Sequence, residues 1–207
     1  MGYSANPPPN PPTLTPDHQV FISIHHRGEL SLDESRRDLG YSAYHWGVLL
    51  APRSPKGACC HAFDVTDGSS PDRLLRMDHN PNFEWLFRVR YYVNPDHSGS
   101  LLLRIKVGKV RIGNGNGNGN GNGYGSGHAF ENIHAILRSI PLPVKGAGPS
   151  QNCVGWIRAA IRKLQANGLA EDFDVDAFMA NALTFVDRRL ADVDRVPDVI
   201  SHLGKRI

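Results

Sequence analysis

Along residues 84–93 apolar and polar side chains alternate with a period of two: Trp85, Phe87, Val89 and Tyr91 fall on one face, Leu86, Arg88, Arg90 and Tyr92 on the other. This is the pattern of a strand with one buried side, because successive side chains of an extended chain point to opposite faces. Four more β-prone runs, Val20 to Ile24, His45 to Leu50, Cys59 to Val65 and Leu101 to Val107, are bounded by turn-forming residues. Together they predict an antiparallel sheet.

Farther along, the period lengthens. Asn132 to Ile140 reads as a short amphipathic helix stopped by Pro141 and Pro143. From Cys153 onward Val154, Ile157, Ile161 and Leu164 recur at helical spacing, with Arg158, Arg162 and Lys163 opposite and Gly168 as terminator. A last helix carries Val175, Phe178, Ala182, Val186 and Leu190, and Glu171, Asp172, Asp174 and Asp176 ahead of it read as caps for its positive end. Strands first and helices later give an α+β fold, an antiparallel sheet packed against helices.

Two stretches break the pattern. Residues 1–17 are dense in proline and poor in apolar surface, and read as a disordered tail; Pro7-Pro8-Pro9-Asn10-Pro11-Pro12 suits a polyproline-binding partner. Residues 113–127 repeat Gly-Asn five times before Tyr124-Gly-Ser-Gly, a flexible insert in an otherwise single domain of residues 18–207. No Lys-Ser/Thr follows the glycines, so this is not a phosphate-binding loop.

Composition narrows the function. Of 207 residues, 40% are hydrophobic and 21% charged, a globular balance. No run approaches the ~20 apolar residues a membrane-spanning helix needs, which predicts no stable membrane insertion. The net charge of +3 is spread without a basic stripe, which argues against a nucleic-acid partner. The opening residues lack a secretory apolar stretch, so a cytoplasmic location is expected. Three cysteines, Cys59, Cys60 and Cys153, do not make a disulfide framework. Cys59, Cys60, His61 and the pair His25/His26 are zinc-capable, but adjacent cysteines reach one tetrahedral ion poorly and no C-x-x-C or H-x-x-x-H spacing is present.

One position stands out chemically. Asn152 sits where an N-cap belongs, which puts Cys153 in the first helical turn, where unpaired N–H groups and the helix dipole favour negative charge on sulfur. His45 and His61 lie in predicted strands, where a rigid scaffold can aim a base. From spacing alone, a cysteine opening an amphipathic helix is more often an inert core thiol. Trp46, Trp85 and Trp156 are open to the same two readings, core or wall of an apolar pocket.

Three blocks stand in order: Tyr44-His45-Trp46-Gly47-Val48-Leu49-Leu50, Cys60-His61-Ala62-Phe63, and Gln151-Asn152-Cys153-Val154-Gly155-Trp156. This order resembles the permuted NlpC/P60 superfamily, and within it the lecithin-retinol-acyltransferase-like and H-rev107-like acyltransferases. There a His-Trp strand comes first, a second His follows on the next strand, and Asn-Cys opens a helix far downstream. The resemblance reaches from about residue 41 to 165. It implies a circularly permuted papain-like domain with Cys153 as nucleophile, His45 as general base, His61 orienting the imidazole, and no cofactor. Trp46, Asn152 and Trp156 flank these groups and are the candidate substrate contacts. After Asn-Cys those acyltransferases continue Glu-His-Phe where this chain has Val154-Gly155-Trp156, so substrate identity is not carried over. The blocks are also similar to a family of uncharacterised fungal proteins, which implies a shared fold and no activity. The resulting expectation is a thiol-dependent acyl-transfer enzyme, hydrolase or acyltransferase, acting on a small-molecule or peptide acyl substrate. The alternative is a non-catalytic binding module on the same fold.

Overall fold

The computed structural model describes residues 12–15, 17–72, 75–110, 128–148, 151–191 and 198–203. In chain order these form β1 (His18–His26), α1 (Asp33–Leu39), β2 (Tyr44–Pro52), β3 (Cys60–Thr66), β4 (Pro71–Asp72), β5 (Met77–Asp78), β6 (Leu86–Val93), β7 (Leu101–Lys109), α2 (Ala129–Arg138), α3 (Cys153–Ala166), α4 (Val175–Leu190) and β8 (Val199–Ser201). Six strands make one sheet in the order β6-β3-β2-β1-β7-β8, and β4 with β5 forms a separate short hairpin. Five runs expected as strands are the five long strands here. The α+β reading therefore holds at the level of a large, mostly antiparallel sheet packed against helices. A fully antiparallel sheet does not hold, because β8 joins the edge parallel to β7.

Alternation sorts the side chains. Val20, Ile22, Ile24, Tyr44, Trp46, Val48, Leu50, Phe63, Val65 and Val89 are buried on the face covered by the helices. Helix α3 supplies the matching stripe with Ile157, Ala160, Ile161 and Leu164. The turn after α3 lies against β7 so closely that a Cβ on Gly108 would sit 2.0 Å from the Leu169 carbonyl oxygen. The other sheet face has a smaller apolar cluster of Phe21, Leu49, Ala51, Cys60 and Ala62. Polar side chains occupy the rest of that face, including Ser23, Asp64 and Arg104, all buried.

The proline-rich tail needs correction at its end. Leu14, only 1% exposed, belongs to the main core, and the Thr15 N–H donates to His18 Nδ1 at 3.0 Å. Leu14 and Thr15 thus pack with the domain. Residues 1–11 and the Gly-Asn insert lie outside the described residues. Among the described residues no helix is long and apolar enough to cross a membrane.

Candidate active site

Helix α3 begins as its sequence dictates. Asn152 is extended and its Oδ1 accepts the N–H groups of Val154 at 2.8 Å and Gly155 at 3.2 Å, closing two of the free donors of the first turn. Its Nδ2 donates to Ser42 Oγ at 3.0 Å, which ties the start of α3 to the turn leading into β2. Cys153 follows, 4% exposed, its Sγ 3.9 Å from the Tyr44 carbonyl oxygen. The cap takes the next two N–H groups and not that of Cys153 itself.

The same stretch of β2 presents His45. Its neighbours fix it from both sides: the Tyr44 hydroxyl donates to Asp187 Oδ1 at 2.8 Å, and Trp46 Nε1 donates to the Tyr41 carbonyl at 2.9 Å. Arg36 adds a forked pair to Asp187, Nε to Oδ1 at 2.7 Å and Nη2 to Oδ2 at 2.5 Å. Tyr44 and Trp46 point to the helices, so His45 between them points the other way. There its Nε2 stands 3.5 Å from Asp64 Oδ2. At that distance, with Nε2 forming no hydrogen bond among the described residues, this is a charge contact.

Asp64 is a buried charge with several partners. It is 1% exposed and receives Arg88 Nε on Oδ1 at 2.9 Å, with Arg88 Nη2 and Arg90 Nη2 on Oδ2, each at 3.0 Å. Arg88 is its direct cross-strand partner, the opposite-charge pairing that stabilises a ladder. Burial alone would raise the carboxyl pKa, but His45 and Arg88 overcome this and hold it far below the usual range. On His45, burial pulls downward; the Asp64 carboxylate and the Cys153 sulfur facing the ring outweigh it and raise the imidazole to about 9.

Gly47 makes the arrangement fit. It pairs directly with Asp64, and a Cβ there would meet the Phe63 carbonyl at 3.0 Å and both Asp64 Cβ and Ser23 Oγ at 3.3 Å. On the far side of His45 lies His25, its direct partner across the β1–β2 ladder, with ring centroids 6.1 Å apart. Burial, the charge on His45 and that on Arg90 lower His25 to about 3, so it stays neutral.

The structure brings Cys153, His45 and Asn152 together and leaves three predicted residues out. His61 is on the helix-facing side of β3, packed at its edges by Tyr92 and Phe130 with centroids 5.1 and 5.4 Å away. The two-residue period explains this: His61 and Asp64 differ by an odd number of positions and must face oppositely. Trp46 is fully buried in the core. Trp156, 2% exposed, packs on Phe87 at a centroid distance of 6.0 Å. Both indoles are packed in the interior, and the Asn152 amide caps α3 and bonds Ser42. Asp64 and His25 are the residues that sequence reading missed. A signal existed for Asp64: it is the single acid in a strand of otherwise apolar character, Cys60-His61-Ala62-Phe63-Asp64-Val65, paired with a strand carrying Arg88 and Arg90 on one face.

Among the described residues no group of three or more His, Cys, Asp or Glu side chains is assembled to hold a metal ion. No family model, curated protein or solved structure matches this chain.

Proposed function

We propose that this protein is a thiol-dependent acyl-transfer enzyme in which Cys153 is the nucleophile, His45 the acid and base, and Asp64 the group that orients and charges the imidazole. The observation that supports this most is a single imidazole held between a buried carboxylate and a thiol at a capped helix start. In this reading Nε2 serves Asp64 and Nδ1 serves the sulfur. The cysteine proton passes to the ring, the thiolate attacks an acyl carbonyl to form a C–S bond, and the imidazolium returns the proton to the departing amine, alcohol or thiol. Water or another acceptor then gives its proton to the neutral ring, attacks the thioester and releases Cys153. The N–H of Cys153, which the cap does not take, is the donor this reading assigns to the oxyanion. A circularly permuted papain-like arrangement, with the histidine strand ahead of the cysteine helix, is part of the same proposal. The acyl donor is a small molecule or peptide.

The test is the pH dependence of iodoacetamide alkylation at each cysteine, read by peptide mass spectrometry, in the wild type and in His45→Ala. Cys153 is expected to react faster than Cys59 near neutrality and to lose that advantage in the variant. Equal, slow reaction of Cys153 in both proteins would instead favour a non-catalytic binding module, the reading to which its 4% exposure lends weight.

A further inference from the structure

We propose that the outer face of the sheet carries a second site, a groove that binds a small phosphate-bearing ligand through Arg104, Lys106 and Lys109. The groove has a volume of about 830 Å³ and lies where β1 begins and β2 ends, with β7 along the other side of β1. That size falls in the range of roughly 300–1,000 Å³ typical of small-ligand sites. Arg53, Arg104, Lys106 and Lys109 line it with Asp17 and Asp96, and Asp198 pairs with Arg104 beside it, so four cations meet three carboxylates and the balance stays positive. A phosphate monoester near neutrality carries about −1.5 to −2, the sign this balance attracts.

Arg104 is the fixed cation of the groove. It is a buried cation, 7% exposed. Its Nη2 reaches Asp198 at 3.0 Å and Asp96 at 3.5 Å, while its Nε is buried with no hydrogen-bond partner among the described residues. The two carboxylates hold the guanidinium in place at the groove wall, and the planar fork of Arg suits phosphate oxygens. Lys106 and Lys109 add mobile charges on the same strand at the groove wall. The site lies at the opposite end of β1 and β2 from His25 and His45, so it does not depend on the chemistry proposed for Cys153.

Isothermal titration calorimetry of the full chain tests this with three probes at matched ionic strength: inorganic phosphate, adenosine monophosphate and citrate. Saturable binding of phosphate or the nucleotide is expected, about tenfold weaker in Lys106→Ala and in Lys109→Ala, as the loss of one charge-assisted contact implies. Binding should be unchanged in Cys153→Ser and in Lys163→Ala, whose lysine is exposed on α3. A tighter nucleotide identifies an organic phosphate as the ligand; equal affinities identify the free anion. The lysine variants are used because replacing Arg104 would also release Asp198 beside β8. No saturable binding of either phosphate probe, citrate binding as tightly, indifference to both groove lysines, or equal loss in Lys163→Ala would each overturn the proposal.

Discussion

Asp64 reaches His45 along the diagonal of the β2–β3 ladder: its Cα partner is Gly47, two residues on, and its Oδ2 stands 3.5 Å from the imidazole Nε2. Same-face neighbours two positions apart are within reach of each other on a pleated sheet, and a ring as long as imidazole spans that gap. Arg88 and Arg90 also bond the carboxylate, so its position does not rest on the histidine alone.

Asp64→Asn keeps the shape and removes the charge. The His45 pKa, raised to about 9 in the native site, is expected to fall by at least about one unit, equivalent to ~1.4 kcal/mol. Histidine Hε1 titration by NMR reads this directly. Arg88 and Arg90 lose their acceptor, and because their side chains are 33% and 40% exposed the cost is discounted to about 2 kcal/mol of stability from the penalty of a fully buried broken pair. An unmoved His45 titration would remove Asp64 from the mechanism.

Gly47→Ala inserts one methyl group against Asp64 Cβ and Ser23 Oγ. Overpacking of this kind costs about 1–3 kcal/mol, visible as a lower urea midpoint with an unchanged slope. If Gly47 matters only for space, His45 keeps its titration. If it sets the diagonal, the His45 pKa falls as Asp64 is pushed aside, and the second outcome is the expected one.

Stability should fall on both sides of neutrality, for different histidines. Burial and the charge on His18 lower His61 to about 4, so below 6.5 the unfolded chain takes up a proton that the folded one refuses, and stability drops as pH falls from 6.5 to 4. For His61 alone the loss by pH 4 is about 3 kcal/mol. His61→Phe, placing a ring of similar size beside Phe130 and Tyr92, should flatten this acid limb in urea denaturation series. His45 acts in the other direction: its folded pKa is raised, so its contribution is full below 6.5 and is lost as pH climbs through about 9.

Asn152→Ala removes the cap of α3 and should cost about 1 kcal/mol. Asn152→Asp restores the acceptor for Val154 and Gly155 but not the donor to Ser42. Alkylation of Cys153 in the pair separates the roles: recovery in the Asp variant assigns the effect to the cap, and continued slowing assigns it to the tie with the turn before β2.

Much of the sheet was legible because burial on one face imposes a period of two, as the run from Trp85 to Tyr92 displays. Helices α2, α3 and α4 were legible for the parallel reason. Helix α1 was not: none of Asp33–Leu39 is buried, so it leaves no apolar stripe to read. Strand β8 is three residues long and gains its place from β7, a tertiary effect. In the site, Cys153 and His45 were found through neighbours in sequence, a cap and a tryptophan. Sequence reading named His61, whereas Asp64 is the residue that lies beside His45; the two part where a motif has to be assigned to a face. Parity with Gly47 decides that, and parity depends on a strand register that one sequence does not contain.

The Tyr44 hydroxyl finds its acceptor 143 residues later, on Asp187. A growing polypeptide therefore exposes His45 and Asp64 to the cell long before the cysteine exists, and completes the anchor of β2 only after α4 has emerged. The direction of translation defers the contact: the Cys153 sulfur can meet the imidazole only after β1 to β7 and α2 have been made.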